Sequence, residues 1–158
     1  AVLNVFLGCE MTDNYINILF TCKDDVTPLA YGYPNEFKQT LLNILNNAKD
    51  SILSKRKKGK EAANISIDIS QRGTIWIINI QDDGEGFDKA DLPHVFDPFY
   101  STKEGGDGFG LYMAKLIIED KMDGKILAFN HENGAKIIIY LENNGKKRVE
   151  LTNENLTS

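Results

Sequence analysis

Four polar residues on one predicted helix have the types and spacing of a cation and phosphate site. Asn43, Asn46, Asn47 and Asp50 stand where an exposed helix usually carries Lys or Glu, and positions 43, 47 and 50 share one helix face. The amide oxygen of Asn is neutral, so it can hold a Mg²⁺ ion already charge-matched to a triphosphate without adding repulsion. On its own, the pattern is more typical of an exposed, Asn-rich helix face.

An acidic, glycine-containing segment follows directly after a predicted strand. Its sequence is Asp82-Asp83-Gly84-Glu85-Gly86-Phe87. A carboxylate at a strand end can accept a hydrogen bond from the amino group of a planar ligand, and the two glycines let the backbone approach that ligand. Such a bond to a charged acceptor contributes about 1.5 to 3 kcal/mol. Adenine has an amino group where guanine has a carbonyl, so Asp82 would select adenine. Taken alone, the segment is also typical of a turn.

A second cluster of glycines lies immediately before a predicted helix, in Gly105-Gly106-Asp107-Gly108-Phe109-Gly110-Leu111. Backbone N–H groups of such a segment can point at phosphate oxygens, and the helix N-terminus adds about half a positive charge. The segment lacks the Lys-Ser/Thr of a Walker A loop and the preceding strand of a dinucleotide-binding motif. By itself, it suits a flexible hinge equally well.

The hydrophobic pattern predicts the elements that must position these groups. A long helix over residues 36–55 carries an apolar stripe of Phe37, Leu41, Ile44, Leu45, Ala48 and Ile52. Shorter helices are predicted at 2–11 and 111–121, and strands at 15–21, 64–70, 74–80, 125–130 and 136–141. Two of the strand pairs are predicted to be antiparallel hairpins. The pattern therefore predicts an α+β fold, a two-layer α/β sandwich in which helices cover one face of a mixed sheet.

Composition and charge narrow the function further. The chain is 42% hydrophobic and 26% charged with a formal net charge of −5, which argues against sequence-independent binding to nucleic acid. No apolar run reaches the roughly 20 residues that span a bilayer. The basic run at 55–60 is interpreted as a solvated helix end, because lysines suit a helix C-terminus. Cys9 and Cys22 lack any metal-ligand or CxxC spacing, so free thiols in a reducing cytoplasm are expected.

The domain boundaries follow from the two ends of the chain. The chain begins Ala1-Val2-Leu3, without an initiator Met or a signal-peptide pattern, and this indicates an excision point in a longer protein. Residues 1–142 are predicted to form one domain. The polar residues 143–158 are predicted to form a loose C-terminal tail.

In their order along the chain, these segments resemble the sequence boxes of sensor histidine kinases. Residues 43–48 are similar to the N box, 82–86 to the first glycine box, 96–103 (Phe-Asp-Pro-Phe-Tyr-Ser-Thr-Lys) to the F box and 106–111 to the second glycine box. Asn133-Gly134-Ala135 resembles a third, weaker glycine box. The joint match covers about residues 33 to 141. The resemblance implies a Bergerat-type ATP-binding fold in a histidine protein kinase that uses ATP and Mg²⁺.

The resemblance also implies a role for each matching residue. Asn47 would be the Mg²⁺ ligand, Asn43 would lie near the phosphates, and Lys103 would contact the γ-phosphate; these three are the implied catalytic residues. A solvated loop lysine is an equal alternative for Lys103. Asp82 would bind the adenine amino group. The other implied nucleotide-binding residues are Gly84, Gly86, Phe96, Phe99, Thr102, Gly106, Gly108, Phe109, Gly110 and Leu111.

Two positions depart from the commonest family pattern. Asp50 lies where many histidine kinases have a phosphate-binding Lys, although Asp is common in the subgroup with a Ser/Thr-Thr-Lys lid, so Asp50 is given no phosphate role. Phe109 replaces the more usual Leu, which is expected to be harmless. His94 and His131 are predicted to be surface residues, and neither is expected to accept a phosphoryl group.

Residues 88–107 lack a sustained period, which predicts a nucleotide-dependent lid. Within this segment, Phe96 and Phe99 are apolar exceptions. Both rings are expected to be buried against the domain, where they would anchor the lid and limit how far it opens.

The expected function is transfer of the γ-phosphoryl group from Mg-ATP to a histidine on a separate helical domain of the same parent protein, with a response regulator downstream. The segment itself is expected to be cytoplasmic, to contact neither nucleic acid nor membrane, and not to autophosphorylate; anchoring of the parent in an inner membrane stays open.

The alternatives are a serine kinase of the anti-sigma-factor type and a conformational ATPase like Hsp90, MutL or type II topoisomerases. Those ATPases usually carry Glu in the place of Asn43 and lack the F box. A degenerate nucleotide sensor would be expected to have lost Asn47 or the lid glycines.

Overall fold

A computed structural model describes residues 15–23, 30, 32–56, 61–101, 108–132 and 134–143. Five strands form one sheet: β1 (Ile16–Cys22), β2 (Ala63–Arg72), β3 (Ile75–Asp82), β4 (Lys125–His131) and β5 (Gly134–Glu142). The helices are α1 (Pro34–Lys55), a 3₁₀ turn (Leu92–His94), and α2 (Gly110–Lys115), which continues as a π-helix (Leu116–Lys121). The helix predicted at 2–11 lies outside the described residues, as does the predicted tail 143–158 except for Asn143, whose N–H donates to the Thr74 carbonyl at 2.8 Å.

The sheet is mixed, as predicted. Its strand order is β1-β2-β3-β5-β4. β1 runs parallel to β2, whereas β2 with β3, β3 with β5, and β4 with β5 are antiparallel. Both predicted hairpins are therefore confirmed. This order places the end of β3 beside the start of β5, so that Asp82 and the Gly134-Ala135 turn meet at one end of these two interior strands.

The long helix α1 covers the inner face of the sheet. Pro34 stands in its first turn, where a missing N–H costs nothing. The predicted stripe is confirmed, because Ile44, Leu45, Ala48 and Ile52 are buried in the main core together with inward residues of every strand. Each fully buried Ile or Leu contributes about 1.5 to 3 kcal/mol. This packing fixes the orientation of α1, so that its Asn-rich face is turned away from the core.

The predicted helix over 111–121 forms, but its second half differs in type. From Leu116 to Lys121 the backbone is a π-helix. This wider turn allows three consecutive residues, Ile117, Ile118 and Glu119, to be buried. Glu119 Oε1 accepts a hydrogen bond from the Ile126 N–H at 3.4 Å and lies 3.1 Å from Lys125 Nζ. The buried Glu119 carboxylate is thus stabilised by two contacts with β4. The hydrophobic pattern of the sequence does not predict a buried carboxylate at this position.

Candidate functional site

An open cavity of about 780 Å³ lies between α1, the end of β3 and the start of α2, a volume typical of small-ligand sites. Residues from segments more than sixty positions apart meet in its wall. The predicted site residues that line the cavity are Asn43, Asn47, Asp82, Gly86, Gly108, Gly110 and Leu111. Asn46 and Asp50 line it as well. The two glycine boxes and the Asn face of α1 are therefore parts of one site.

Other predicted residues stand elsewhere. Gly84 lies next to Asp82 without lining the cavity, and Phe96, Phe99 and Phe109 are not among its lining residues. Thr102, Lys103 and Gly106 lie outside the described residues, so their predicted roles stay predictions.

Asp82 is the most buried polar group of the site. It is the last residue of β3 and is 7% exposed. Its Oδ1 accepts hydrogen bonds from the Gly84 N–H at 2.8 Å and the Ala135 N–H at 3.4 Å. Burial raises the pKa of the Asp82 carboxyl, although these two bonds and His131 oppose the rise. Among the described residues, both bonds to the carboxylate end on Oδ1, which leaves Oδ2 for a donor in the cavity.

Two side chains of α1 hold the loop that follows Asp82. Lys55 Nζ donates to the carbonyl oxygens of Asp83 and Gly84 at 2.9 and 3.0 Å. Ser51 Oγ accepts from the Glu85 N–H at 3.0 Å. These anchors keep the loop in place before any ligand binds. Lys55 is the exposed last residue of α1, as predicted for a solvated helix end, and its ammonium group also holds this loop.

The far end of the same loop is fixed by β4. Asn130 Oδ1 accepts from the Phe87 N–H at 2.7 Å, and Asn130 Nδ2 donates to the Phe87 carbonyl at 2.6 Å. The amide side chain thereby pairs with the Phe87 backbone as a strand would. His131, predicted to be a surface residue, is half-buried, and its Nε2 donates to the Asp82 carbonyl at 3.2 Å. His131 reaches the Asp82 backbone because it is the last residue of β4, which ends beside the Asp82 loop.

Close contacts or the backbone conformation favour glycine at three positions around Asp82. A Cβ at Gly84 would overlap Ser51 Oγ and lie 2.7 Å from Asp82 Oδ1. Gly134 is packed against the Asp82 carbonyl in the same way, which gives the third, weaker glycine box a physical reason. Gly86 has φ +77°, a conformation that L side chains rarely adopt.

The second glycine box lies directly on the Asn face of α1. Asn43 Nδ2 donates to the Gly110 carbonyl at 3.3 Å, and Asn43 Oδ1 accepts from Gln39 Nε2 at 3.0 Å. A Cβ on Gly110 would lie 3.7 Å from Asn47 Nδ2. The start of α2 is thus held within contact distance of the residues predicted to be near phosphate and metal.

The two phenylalanines of the F box have different environments. Phe96 is half-buried against the main core, with Lys115 Nζ 5.8 Å from its ring centroid. Phe99 is 74% exposed, so the expectation that it is buried against the domain is wrong. Its partner is instead Phe109, in an edge-to-face contact with ring centroids 4.7 Å apart. The replacement of Leu by Phe at position 109 supplies that ring contact.

Hydrogen bonds between side chains order the described part of the predicted lid. The Tyr100 hydroxyl donates to Asp91, and this bond raises the pKa of Tyr100 to about 12. His94 Nδ1 lies 2.7 Å from Asp97 Oδ2, and both side chains are exposed. His94 is therefore a surface residue, as predicted. Because Tyr100 and Asp91 both line the cavity, their bond closes one side of its wall.

The charge of the cavity wall is strongly negative. Its described lining includes five carboxylates, Asp50, Asp82, Glu85, Asp88 and Asp91, and no Lys, Arg or His. A polyanionic ligand would be repelled unless a cation accompanied it. Among the described residues no group of three or more His, Cys, Asp or Glu could hold a metal ion.

Comparison with known proteins identifies the family. The family model described as "Histidine kinase-, DNA gyrase B-, and HSP90-like ATPase" matches residues 32–145. The chain belongs to this family. Its resemblance to the ATP-binding domain of sensor histidine kinases, its predicted fold and its ATP-binding character are confirmed.

The named relatives are a sporulation kinase and a sensory histidine kinase. Sporulation kinase E of Bacillus subtilis is 34% identical over 115 residues, which cover 72% of this chain and 14% of the relative. The sensory histidine kinase/phosphatase NtrB of Rhizobium leguminosarum bv. phaseoli is 32% identical over 120 residues, covering 70% of this chain and 30% of the relative. The histidine kinase domain thus spans less than a third of either relative's length.

Solved structures share the whole fold. The nucleotide-free catalytic domain of histidine kinase ThkA matches with a TM-score of 0.78 and 25% identity over 90% of each chain. Histidine kinase ThkA in complex with response regulator protein TrrA matches with a TM-score of 0.75 and 24% identity, covering 93% of this chain and 40% of that one. Every helix among the described residues is too short or too polar to span a bilayer.

Proposed function

We propose that this domain binds Mg-ATP in the cavity and donates the γ-phosphoryl group to a histidine on a separate helical domain of its parent protein. The observation that carries the proposal is the Asp82 carboxylate. It is buried at the cavity wall, with Oδ1 occupied by two backbone N–H groups and Oδ2 available for the adenine amino group. The kinase names of the relatives support the phosphoryl-transfer part.

The long helix gives the bound nucleotide a direction. Its C-terminal end, at Lys55, contacts the Asp82 loop, whereas Asn43 contacts the start of α2. At a rise of 1.5 Å per residue, the two ends of this span are about 18 Å apart along the helix axis. Glu85 and Asp88 follow Asp82 closely in the sequence and line the cavity, so the uncharged adenosine is proposed to bind at this end and the triphosphate beside the Asn face.

At the phosphate end the proposed metal ligand is Asn47. Its neutral amide oxygen fits a Mg²⁺ ion that keeps water and phosphate oxygens as its other ligands. When bound, Mg²⁺ neutralises charge on the phosphates. Gly108 and Gly110 are proposed to present backbone N–H groups to the phosphates, and Asn43 to lie near them. Thr102, Lys103 and Gly106 are proposed to complete this end.

The domain's contribution to the reaction is positioning. Phosphoryl transfer breaks the bond between the γ-phosphorus and its bridging oxygen and forms a phosphorus–nitrogen bond to the acceptor imidazole, which loses a proton, while ADP departs. A loose transition state requires alignment and charge neutralisation more than covalent help from side chains. The Asp82 loop would fix adenine, and the Asn face would hold the phosphates in line with the incoming imidazole.

The partners of the parent protein follow from the same proposal. An upstream helical domain would carry the acceptor histidine, and a response regulator would receive the phosphoryl group, as the solved complex of ThkA with TrrA suggests by analogy. Residues 88–107 would act as a nucleotide-dependent lid, in the cytoplasm. A water-activating Glu of the conformational ATPases has no counterpart at Asn43, whose amide is engaged by Gly110 and Gln39.

Two measurements test the proposal. Calorimetry should show that the chain binds Mg-ATP far more tightly than Mg-GTP, that Asp82→Asn abolishes the preference, and that Asp68→Asn does not. Asp68 is a matched control because its neighbours Ile67 and Ile69 point into the core, so its carboxylate points away from the cavity. Equal affinities of the unaltered chain for ATP and GTP would refute the adenine assignment.

A test of phosphoryl transfer requires the proposed helical domain that carries the acceptor histidine. The chain should phosphorylate an isolated helical domain from the parent protein on histidine, giving a product that is lost in acid. An acid-stable phosphoserine product would instead support the serine kinase alternative.

A further inference from the structure

One peptide group connects a lysine on α1 with the buried carboxylate of Asp82. The carbonyl of Asp83 and the N–H of Gly84 belong to the same peptide group. Its oxygen accepts from Lys55 Nζ at 2.9 Å, and its N–H donates to Asp82 Oδ1 at 2.8 Å. A cation, a peptide dipole and an anion therefore lie in series, an order in which each hydrogen bond polarises and strengthens the next.

The next peptide group has the same orientation. The Gly84 carbonyl also accepts from Lys55 Nζ, at 3.0 Å, while the Glu85 N–H on the other side of that peptide donates to Ser51 Oγ. The two α1 residues that bond this peptide group, Ser51 and Lys55, lie on neighbouring turns of the helix. Two successive carbonyl groups are thus directed at one ammonium group.

This orientation matters because the segment contains a glycine that cannot be replaced. A Cβ at Gly84 would overlap Ser51 Oγ, so the closeness of α1 requires Gly, and Gly is the residue whose flanking peptide groups rotate most freely. If the Asp83–Gly84 peptide rotated by half a turn, its carbonyl oxygen would face Asp82 Oδ1. The carboxylate would lose a donor and gain a repulsive neighbour.

We propose that Lys55 is a positioning residue for Asp82, which it orients through the Asp83–Gly84 peptide group without touching the ligand. The inference rests on the proposed function, in which Asp82 receives the adenine amino group. Asn130 holds Phe87, at the other end of the loop, independently of Lys55. Removal of the lysine ammonium should therefore disturb the Asp82 end of the loop and leave the Phe87 end in place.

The test compares Lys55→Met, Lys55→Gln and Lys55→Arg with Lys38→Met, a change of the same type near the other end of α1. Each variant is titrated with Mg-ATP and with Mg-ITP, which has a carbonyl in place of the adenine amino group. Amide hydrogen exchange of Gly84 is measured by NMR in the empty chain. Thermal unfolding shows whether each variant is folded, and the Gln variant decides the question if the Met variant is not.

The expected result is a selective loss. Lys55→Met should weaken ATP by about ten- to a hundredfold, the range for a hydrogen bond to a charged group, with little change for ITP. It should also accelerate Gly84 exchange. Lys55→Arg should restore both properties, and Lys38→Met should alter neither.

Two outcomes would overturn the inference. One is a Lys55→Met or Lys55→Gln chain with unaltered Gly84 exchange and an unaltered ratio of ATP to ITP affinity. The other is an equal loss for both nucleotides, which would indicate a general effect on the fold. If the unaltered chain fails to distinguish ATP from ITP, the adenine assignment fails, but the Gly84 exchange still tests the link from Lys55 to Asp82.

Discussion

Replacement of Asp82 by Asn should weaken ATP binding and at the same time stabilise the empty domain. Asn has nearly the same shape, and its Oδ1 can still accept from the N–H groups of Gly84 and Ala135. The change removes the charge that burial disfavours and turns the second atom of the side chain from an acceptor into a donor. That donor would face the adenine amino group, which is also a donor.

The loss of affinity can be estimated from the bond that disappears. A hydrogen bond to a charged acceptor contributes about 1.5 to 3 kcal/mol, which corresponds to roughly ten- to 150-fold in affinity. Repulsion between the two amino groups adds to this loss. Isothermal titration of Mg-ATP into both proteins at neutral pH would measure it directly.

The effect on stability depends on pH in a defined direction. Burial raises the pKa of Asp82 in the folded state, so the protonated form is favoured by folding. The contribution of Asp82 to stability is fully present below its unfolded-state pKa and is lost as pH rises through the folded-state pKa. At higher pH, each unit by which folding raises this pKa lowers the free energy of unfolding by about 1.4 kcal/mol.

The advantage of Asp82→Asn over the unaltered empty chain should therefore be absent in acid, grow as pH rises above about 4, and then level off. Urea unfolding of both proteins across this range measures the difference. An Asn variant that is less stable than the unaltered chain at neutral pH, or that binds Mg-ATP equally well, would refute the reasoning.

Four further outcomes are expected. Asn47→Asp should weaken Mg-ATP while calorimetry shows adenosine binding unchanged, because the added charge lies at the phosphate end alone; unchanged Mg-ATP affinity would exclude Asn47 as the metal ligand. Gly108→Ala should lower the free energy of unfolding in urea by at least about 1 kcal/mol, because Gly108 has φ +69° and a Cβ there would overlap the Phe99 backbone. Gly110→Ala is the control: a Cβ at Gly110 would make only ordinary contacts, so this change should leave stability nearly unaltered. Asp123→Gly should raise stability by up to about 1 kcal/mol in the same assay, because Asp123 follows the π-helix with φ +51°. Amide exchange across residues 88–101 should slow when a non-hydrolysable ATP analogue binds, and strong protection that nucleotide leaves unchanged would contradict the lid.

The elements with a clear local period could be predicted from the sequence. The stripe of α1 and the alternation of the two hairpins each result from burial of one face, and burial leaves a periodic trace in a short window. Asp82 and the glycine boxes could be found because several weak patterns occurred in one order. Each pattern alone also suited a turn, a hinge or an exposed helix face.

The contacts that complete the site could not be predicted in this way. Lys55 lies 28 residues from Asp83, and Asn130 lies 43 residues from Phe87. Neither contact leaves a local pattern, because the sheet order decides which loop meets which strand. The prediction that Phe99 is buried fails for a related reason: an apolar residue predicts burial, whereas Phe99 is 74% exposed and its ring contacts the half-buried ring of Phe109.

The π-helix over Leu116–Lys121 should determine where the chain tolerates the loss of a residue. Each of its turns closes with one residue more than an α-helical turn, so deletion of the exposed Asp120 would allow the backbone to continue as α-helix with Ile117 and Ile118 still buried. The same deletion inside β3 would shift every following side chain to the other face and turn Asp82 away from the cavity. Length variants of this domain should therefore accumulate in the π-helix and be excluded from the strand that ends at Asp82.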